Sequence, residues 1–342
     1  MKILCTLFFV ILFSCASFAQ NKKLKVLFLG NSYTYVNNLP QLIKDIALAN
    51  GDTLVFDSNL PGGQTFQGHF GDFTSLAKIN AQAWDCVVLQ AQSQEPSFSP
   101  GQVAAQTLPY AIKLDSVIKH NNACTETVFY ETWGRKNGDA SNCGSYPPIC
   151  TYVGMQNRLR ASYKLFADTT HAIMAPAGEA WRKSIAQNPT LELYSSDQSH
   201  PSLEGSYLTA CVFYETLFHK SVLSNTYTAG VSATNVTFLQ QIAHDVVNDS
   251  LLTWNIGKYP TCSTTGLSHI SSNKNIALFP NPAHDFLYTS ANSSYKIYDV
   301  LGNLCLSGDK SNIINIESLK SGIYFIELSS LDSTKKIKFV KQ

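Results

Sequence analysis

Apolar strand-like runs alternate with helical patterns from Leu24 to about Trp254, and this alternation constrains the fold more than any other feature of the chain. It predicts a parallel sheet that is covered by helices. The runs expected to be strands are 24–29, 53–57, 84–90, 125–132 and 171–176. The patterns expected to be helices include 40–50, 102–120, 155–167 and 201–219.

This order of five strands with intervening helices resembles a flavodoxin-like, three-layer α/β/α arrangement. The carboxyl ends of the strands in such a parallel sheet meet at one edge, and ligands bind there. The residues that directly follow each predicted strand are therefore the candidates for chemistry. We assign this domain to residues 20–254.

The helical patterns stop after this domain. Residues 255–275 are rich in Ser, Thr, Gly and Asn, which predicts a linker. From residue 276 to 342 the apolar residues alternate with polar ones, in short runs that are separated by Gly, Asn and Ser. This period of two predicts a small all-β sandwich as an independent domain.

The amino terminus has the features of an export signal. Met1-Lys2 is followed by the apolar run 3–13, and Ser17-Phe18-Ala19 fits a cleavage site with small residues. We therefore expect residues 1–19 to be a signal peptide that is removed before Gln20. The run is too short for a comfortable membrane span, and no later stretch is long enough. A lipoprotein modified at Cys15 is the alternative.

Composition narrows the possible partners. The formal net charge is +1 and only 14% of the residues are charged, so no basic surface for nucleic acid is expected. The chain has nine cysteines, two of them within the predicted signal peptide, and an exported protein can keep disulfides. Cys143 and Cys150 flank a short loop and are the expected pair. Cys86 and Cys211 stand in apolar runs and are expected to be buried. No cysteine or histidine pattern indicates a metal site, so no metal is expected.

A serine stands directly after the first predicted strand, in the turn Gly30-Asn31-Ser32. Such a serine is often only a turn residue. It becomes a nucleophile where a base takes its proton and a third group orients that base. Asp197 and His200 stand three residues apart after the last predicted strand, and they supply both groups. We expect His200 to be the general base and Asp197 to orient it; a capped turn with an exposed histidine is the alternative.

Two further loops at the same edge offer donors for an oxyanion. Gly62 or Gly63, after the second strand, would let a backbone N–H group approach a substrate closely. Gln90 or Gln92, after the third strand, would donate a side-chain amide. The alternatives are an ordinary glycine turn and glutamines that are hydrogen-bonded at the end of a buried strand.

These blocks, in this order, resemble the SGNH or GDSL-like hydrolases, a family of serine esterases. The turn 30–32 matches the first block with Asn31 in place of the usual Asp, Gly63 matches the second, and Asp197 with His200 matches the last. The third block departs, because the usual Gly-x-Asn reads Gln-Ala-Gln here. The resemblance covers about residues 24–220.

The resemblance implies functions for particular residues. Ser32, His200 and Asp197 would be catalytic, Ser32, Gly63 and Gln92 would form the oxyanion hole, and no cofactor would be needed. Within the family the phrases "ETWGR" and "APAGEAW" resemble a subgroup that is mostly of unassigned function. The candidates for substrate contact, with packing or a surface ion pair as the alternative, are His69, Trp133, Arg135, Glu179 and Trp181.

The tail resembles another family. The segments "FPNPAHDFLY", "YKIYDVLGN" and "SGIYFIEL" are similar to the type A C-terminal sorting domain of the type IX secretion system. The resemblance implies a Gram-negative bacterium, the secretion machinery as a partner, and a protein that is secreted or held at the outer cell surface. A carbohydrate-binding β-module is the alternative.

Together these features predict a secreted serine esterase that acts on small-molecule or polysaccharide esters. One alternative is a non-catalytic binding or adhesion protein on the same fold, which a fluorophosphonate would not label. Another is a flavodoxin-type protein whose "GNSYT" turn holds a phosphate. That alternative leaves Asp197 and His200 unexplained.

Overall fold

The computed structural model describes residues 21–259, 262, 278–279, 281–300, 302–330 and 333–342. The chain divides into two units, Met1–Ser263 and Thr264–Gln342, which are described separately. The predicted signal peptide and most of the predicted linker lie outside the described residues. Within the described part of the chain, no helix is long and apolar enough to cross a membrane.

A five-stranded parallel sheet forms the centre of the first unit. Its strands are β1 (Lys23–Leu29), β2 (Thr53–Asn59), β3 (Cys86–Leu89), β4 (Glu126–Tyr130) and β5 (Ile173–Ala175). They lie in the order β2-β1-β3-β4-β5, and every pairing is parallel. This is the flavodoxin-like order, so the predicted fold class is confirmed. The central strand β3 is apolar and buried throughout, as expected where helices cover both faces of a sheet.

Helices cover the sheet in two groups. The helices are α1 (Ser32–Tyr35), α2 (Leu39–Ala49), α3 (Phe66–Gly71), α4 (Phe73–Asn80), α5 (Pro100–Gln102), α6 (Leu108–Asn121), α7 (Tyr152–Thr170), α8 (Ala177–Gln187), α9 (Leu203–Phe218) and α10 (Ala233–Asn248). α2, α8 and α10 pack against α9, whereas α3, α4 and α7 pack against α6. α3 and α8 are not among the helical patterns named from the sequence.

Two predicted helices differ from the observed ones, and proline explains both differences. The predicted helix 102–120 is interrupted at Val103–Thr107 by a π-helical turn, next to Pro109, which has no N–H group to donate. The predicted helix 201–219 begins at Leu203 instead of Pro201. The Ser202 hydroxyl caps it by accepting a hydrogen bond from the Gly205 N–H group, which a proline cannot do.

The first unit extends beyond the boundary that was predicted at residue 254. Asn255 and Ile256 are buried, and the Asn255 side chain donates to the Ala172 carbonyl. A disulfide joins Cys124 to Cys262 across 138 residues. The start of the predicted linker therefore belongs to the α/β unit, and the chain is covalently attached to this unit at residue 262.

The other cysteines are also placed. Cys143 and Cys150 form a disulfide across seven residues. Cys86 and Cys211 are buried thiols, and Cys305 is an exposed one.

The second unit is all-β, as predicted. Its strands are β6 (Leu278–Phe279), β7 (Phe286–Tyr298), β8 (Leu304–Asn315), β9 (Gly322–Ser330) and β10 (Ser333–Lys341). All the strand pairings are antiparallel, and β7 pairs with β8 along its length and with β6 and β9 at opposite ends. A small core of its own includes Leu287, Ile297, Ile326 and Phe339.

Candidate active site

A sharp turn places Ser32 at the carboxyl edge of the parallel sheet. β1 ends at Leu29, and Ser32 is the first residue of α1. A Cβ atom at Gly30 would lie 2.6 Å from Thr34 Oγ1 and 2.8 Å from Gln90 Oε1. The turn therefore requires glycine at position 30, because any other residue would push these neighbours away.

Three side chains at this edge form a continuous chain of hydrogen bonds. His200 Nε2 lies 2.8 Å from Ser32 Oγ. His200 Nδ1 contacts Asp197 Oδ2. The other carboxylate oxygen of Asp197 accepts the backbone N–H groups of Ser199 and His200 at 3.0 and 2.9 Å. The carboxylate thus orients the imidazole and also holds the backbone that carries it.

The same contacts keep Asp197 ionised. Burial raises the pKa of the carboxyl, but the hydrogen bonds from the His200 ring and from the Ser199 and His200 N–H groups outweigh it, so the pKa lies below the ordinary value. The side chain is 48% exposed, and solvent therefore screens its charge. Asp197 is a carboxylate acceptor at every pH near neutrality.

The loop that carries Asp197 and His200 is closed at its base. Tyr194 and Pro201 form an antiparallel bridge, and the Ser195 N–H group donates to the His200 carbonyl at 2.8 Å. Gln198, at the tip, has a φ of +61°, which turns the chain sharply between the two functional residues. This closed loop brings the two side chains to the same side.

A stack of three aromatic rings lies beneath this loop. Tyr33 stacks on Trp133 with centroids 5.0 Å apart, and Trp133 stacks on Trp181 at 3.7 Å. The Trp133 indole N–H group donates to the Ser199 carbonyl at 3.0 Å, and the Tyr33 hydroxyl lies 2.6 Å from Ser199 Oγ. The edge of Tyr33 faces the His200 ring at 5.3 Å. The stack therefore supports the residue between Asp197 and His200.

The prediction that Trp133 and Trp181 contact substrate is wrong, because neither side chain is exposed. The Trp181 N–H group donates to Thr209 within the core. Both tryptophans follow strands at the correct edge, but they point into the protein.

Asn31 ties three loops together below the nucleophile. Its amide nitrogen donates to the carbonyls of Gln64 at 2.9 Å and Ala91 at 3.3 Å. Its amide oxygen accepts the Tyr33 N–H group and one N–H of the Gln90 side chain. Asn31 is almost completely buried. The loops after β1, β2 and β3 are therefore held in a fixed arrangement around Ser32.

Backbone donors are available in this arrangement. Within the described residues, no hydrogen bond uses the N–H groups of Ser32, Gly62 or Gly63. Gly63 has a φ of +67°, and an added Cβ at either glycine would meet no atom within 4 Å. Both glycines thus expose their backbone, as an oxyanion donor must.

The two glutamines behave differently from the prediction. Gln90 cannot donate to a ligand, because its amide nitrogen already contacts the oxygens of Asn31 and Ala91 in a buried position. The Gln92 amide folds over its own loop, where its oxygen accepts the Gln94 N–H group at 2.7 Å and its nitrogen donates to Gln94 Oε1.

His69 is also a buried residue and not part of a pocket wall. Its Nε2–H group donates to the Gly30 carbonyl at 3.0 Å, and Nδ1 lies 2.8 Å from Ser75 Oγ. Burial lowers the pKa of His69 to about 4, so the ring is neutral at physiological pH. It supports the turn before Ser32, in place of the predicted substrate contact.

The two charged candidates have different surroundings. Glu179 lies in α8 and forms ion pairs with Arg160 at 3.4 Å and Arg182 at 3.1 Å, so the alternative of a structural ion pair describes it. Arg135 follows β4 at the carboxyl edge, and its nearest carboxylate is that of Asp139, at 3.7 Å. Of the two, only Arg135 has a buried polar atom without a hydrogen-bond partner within the described residues.

Sequence reasoning missed the supporting function of Asn31, Tyr33 and Ser199. Each is a direct neighbour of a predicted catalytic residue in the sequence. That proximity was the available signal, but the side-chain directions that give these residues their function depend on tertiary packing.

Comparisons with known proteins agree with this fold. Residues 277–342 match the family model described as the secretion system C-terminal sorting domain. A DUF4886 family protein from Bacteroides uniformis is 19% identical and has a TM-score of 0.57, over 67% of this chain and 95% of that chain. No curated protein is similar enough to count as a relative.

Two other solved structures have lower TM-scores. A candidate SGNH hydrolase from Slackia heliotrinireducens is 25% identical with a TM-score of 0.48, over 57% of this chain and 99% of that chain. A lipase/acylhydrolase from Enterococcus faecalis is 16% identical with a TM-score of 0.41, over 57% and 96%. The first unit thus shares the fold of the Bacteroides uniformis protein and has SGNH and lipase-type proteins among its structural neighbours. The type IX sorting segment indicates a protein that is secreted or held at the outer surface of a Gram-negative bacterium.

Proposed function

We propose that the protein is a secreted serine esterase in which Ser32, His200 and Asp197 form a catalytic triad. The observation that carries the proposal is the hydrogen-bonded chain from Asp197 through His200 to Ser32 Oγ, at the edge of the sheet where such folds bind ligands. The hydrolase-type structural neighbours and the sorting segment support a secreted hydrolase.

The geometry suits acyl transfer. His200 Nε2 takes the proton of Ser32 as Oγ attacks the ester carbonyl, and the Asp197 carboxylate stabilises the imidazolium that forms. The free N–H groups of Ser32 and Gly63 are the donors for the oxyanion. His200 then gives its proton to the leaving alcohol, and water releases the acyl group from Ser32 by the same steps.

The substrate class follows from the location. Outside the cell, esters of small acyl groups on polysaccharides are accessible to a secreted enzyme, and we propose deacetylation of such polymers as the activity. The His200 and Asp197 side chains are 33% and 48% exposed, so the site is open to solvent and fits a polymeric substrate.

A non-catalytic binding protein is the second candidate function. The observation in its favour is the third loop, where Gln92 folds away and leaves the oxyanion without the usual amide donor. Loss of one such donor lowers turnover in a serine hydrolase by about 100- to 1000-fold. In this alternative, Ser32 keeps its hydrogen bond to His200, but the protein hydrolyses esters only very slowly.

Labelling with a fluorophosphonate separates the two candidates. We expect the folded protein to be labelled at Ser32, identified by mass spectrometry of the labelled peptide, because the probe reacts only with an activated serine. Heat-unfolded protein is the control and should remain unlabelled. A folded, unlabelled protein would contradict the esterase proposal and support the binding module.

The aromatic stack gives another prediction. Replacing Trp133 with Phe removes the hydrogen bond to the Ser199 carbonyl, and should lower the unfolding free energy by about 1–3 kcal/mol. Turnover should fall roughly 10-fold, because small displacements of a catalytic base are costly. The measurements are chemical denaturation and kcat at several pH values.

Trp84 provides the matched control for this variant. Its indole also donates to a backbone carbonyl, that of Lys78 at 2.9 Å, and it is 3% exposed. It precedes β3 and therefore lies at the opposite edge of the sheet. Trp84→Phe should cost similar stability with unchanged turnover. Equal losses of turnover in both variants would show that Trp133 acts only through stability.

A further inference from the structure

Arg135 lies beside the proposed catalytic residues but belongs to none of their contacts. It follows β4 at the carboxyl edge, two residues after Trp133. It interacts with the Tyr33 hydroxyl: burial raises the pKa of Tyr33, while hydrogen bonds from Ser199, Ser93 and Arg135 and the Arg135 charge oppose that rise. The Tyr33 ring in turn faces His200 at 5.3 Å. The guanidinium group therefore interacts with a tyrosine whose ring packs against the general base.

The guanidinium group has unused hydrogen-bond donors. Its Nε atom is buried without a hydrogen-bond partner within the described residues. A hydrogen bond to the Tyr33 hydroxyl engages the group elsewhere and leaves further N–H groups of the five that an arginine carries. Its closest carboxylate oxygen, on Asp139, is 3.7 Å away. Asp139 is fully buried and already accepts hydrogen bonds from the side chains of Gln94 and Asn142 and from the Ser141 N–H group. Asp139 therefore balances the charge of Arg135 without occupying its donors.

The remaining arginines of the chain are paired more closely. Arg158 donates to the Phe98 carbonyl at 3.2 Å. Arg160 and Arg182 lie 3.4 and 3.1 Å from Glu179. Within the described residues, Arg135 alone among the four has a buried side-chain nitrogen without a hydrogen-bond partner, and 27% of its side chain is exposed. An incompletely paired guanidinium at the edge of a reactive site is typical of anion recognition.

We propose that Arg135 binds a carboxylate of the substrate, and that the enzyme prefers esters of molecules that carry one. The inference rests on the esterase function proposed above and specifies its substrate class. The planar guanidinium fits a carboxylate through two parallel hydrogen bonds. The carboxylate has two sources: an acidic sugar in the alcohol part of the ester, or a second acid group on the acyl part.

Two matched substrate pairs test this specificity. One pair is an acetylated methyl glucuronoside and the corresponding methyl glucoside, and the other is an aryl hemisuccinate and the aryl butyrate. The wild-type protein should hydrolyse the acidic member of one pair at least about 10-fold faster in kcat/KM, which also identifies the source of the carboxylate. Arg135→Gln should reduce that preference roughly 10- to 100-fold, mainly through KM.

Lys136→Gln is the matched control. Lys136 is the next residue of the same loop, and its ammonium group is already paired with Glu192. The preference for the acidic member should be unchanged in this variant. An equal loss in both variants would attribute the effect to general charge and overturn the inference, as would a wild-type protein that treats both members of each pair alike.

A binding measurement separates this inference from the esterase proposal. Calorimetric titration with glucuronate and with succinate, and with glucose as the neutral control, requires no turnover. Binding of either anion to the wild-type protein and to Lys136→Gln, but not to Arg135→Gln, supports the anion site even if no ester is hydrolysed. If neither anion binds and no acidic ester is preferred, the inference is wrong whatever the outcome of fluorophosphonate labelling.

Discussion

Ser32→Ala should abolish ester hydrolysis, with kcat/KM lowered on the order of 10⁴- to 10⁶-fold. The reason is geometric: Ser32 Oγ is the hydroxyl that lies 2.8 Å from the base nitrogen of His200, and the Ser32 N–H group remains in place to bind substrate. The fold should be preserved, because the hydroxyl makes no other hydrogen bond within the described residues. Initial rates on aryl acetates and thermal unfolding measure both effects.

Ser199→Ala is the control for this variant. Its hydroxyl is in the same neighbourhood but contacts Tyr33 instead of His200. Its removal should lower the rate by no more than about 10-fold through a looser loop. If Ser32→Ala retained more than a small fraction of the rate, another nucleophile would be responsible.

Asp197→Asn should lower kcat on the order of 10²- to 10⁴-fold while the loop keeps its shape. Asparagine retains the Oδ1 acceptor for the Ser199 and His200 N–H groups. It loses the charged acceptor at His200 Nδ1, so the ring is no longer held in the tautomer that leaves Nε2 free to accept the Ser32 proton. Asp197→Ala removes both functions and should also loosen the loop.

The pH dependence follows from the direction of the Asp197 pKa. That pKa is lower in the folded protein, so the carboxylate stabilises the fold at pH values above the ordinary carboxyl pKa, and this contribution disappears as the pH falls through the lowered value. Protonation of Asp197 should therefore not reduce wild-type activity in mildly acidic buffer. If Asp197→Asn matched the wild-type kcat between pH 6 and 8, Asp197 would not orient the base.

The fold and part of the site could be predicted because they depend on local patterns. Alternating apolar runs specify a parallel sheet, and the position of Ser32 after the first strand and of Asp197 and His200 after the last follows from chain order. The structure brings these three side chains together. Their catalytic function stays a prediction until it is measured.

The remaining differences concern side-chain direction and burial. Trp133, Trp181 and His69 follow strands at the correct edge, but their rings turn inward because the core there needs large side chains and hydrogen-bond donors. The Gln92 side chain folds over its own loop, where it is hydrogen-bonded to Gln94. The pairing of Cys124 with Cys262 spans 138 residues, and a sequence does not reveal which distant segments meet.

That long-range disulfide links the stability of the α/β unit to the compartment. In the chain-entropy model, a loop of 138 residues is worth roughly 5 kcal/mol, which is a large part of the stability of a typical domain. Disulfides are rare in a reducing cytoplasm, where thiols are kept reduced. A newly made chain therefore lacks this cross-link before export, when a less stable chain crosses a membrane more easily. It reaches its full stability only after it has crossed.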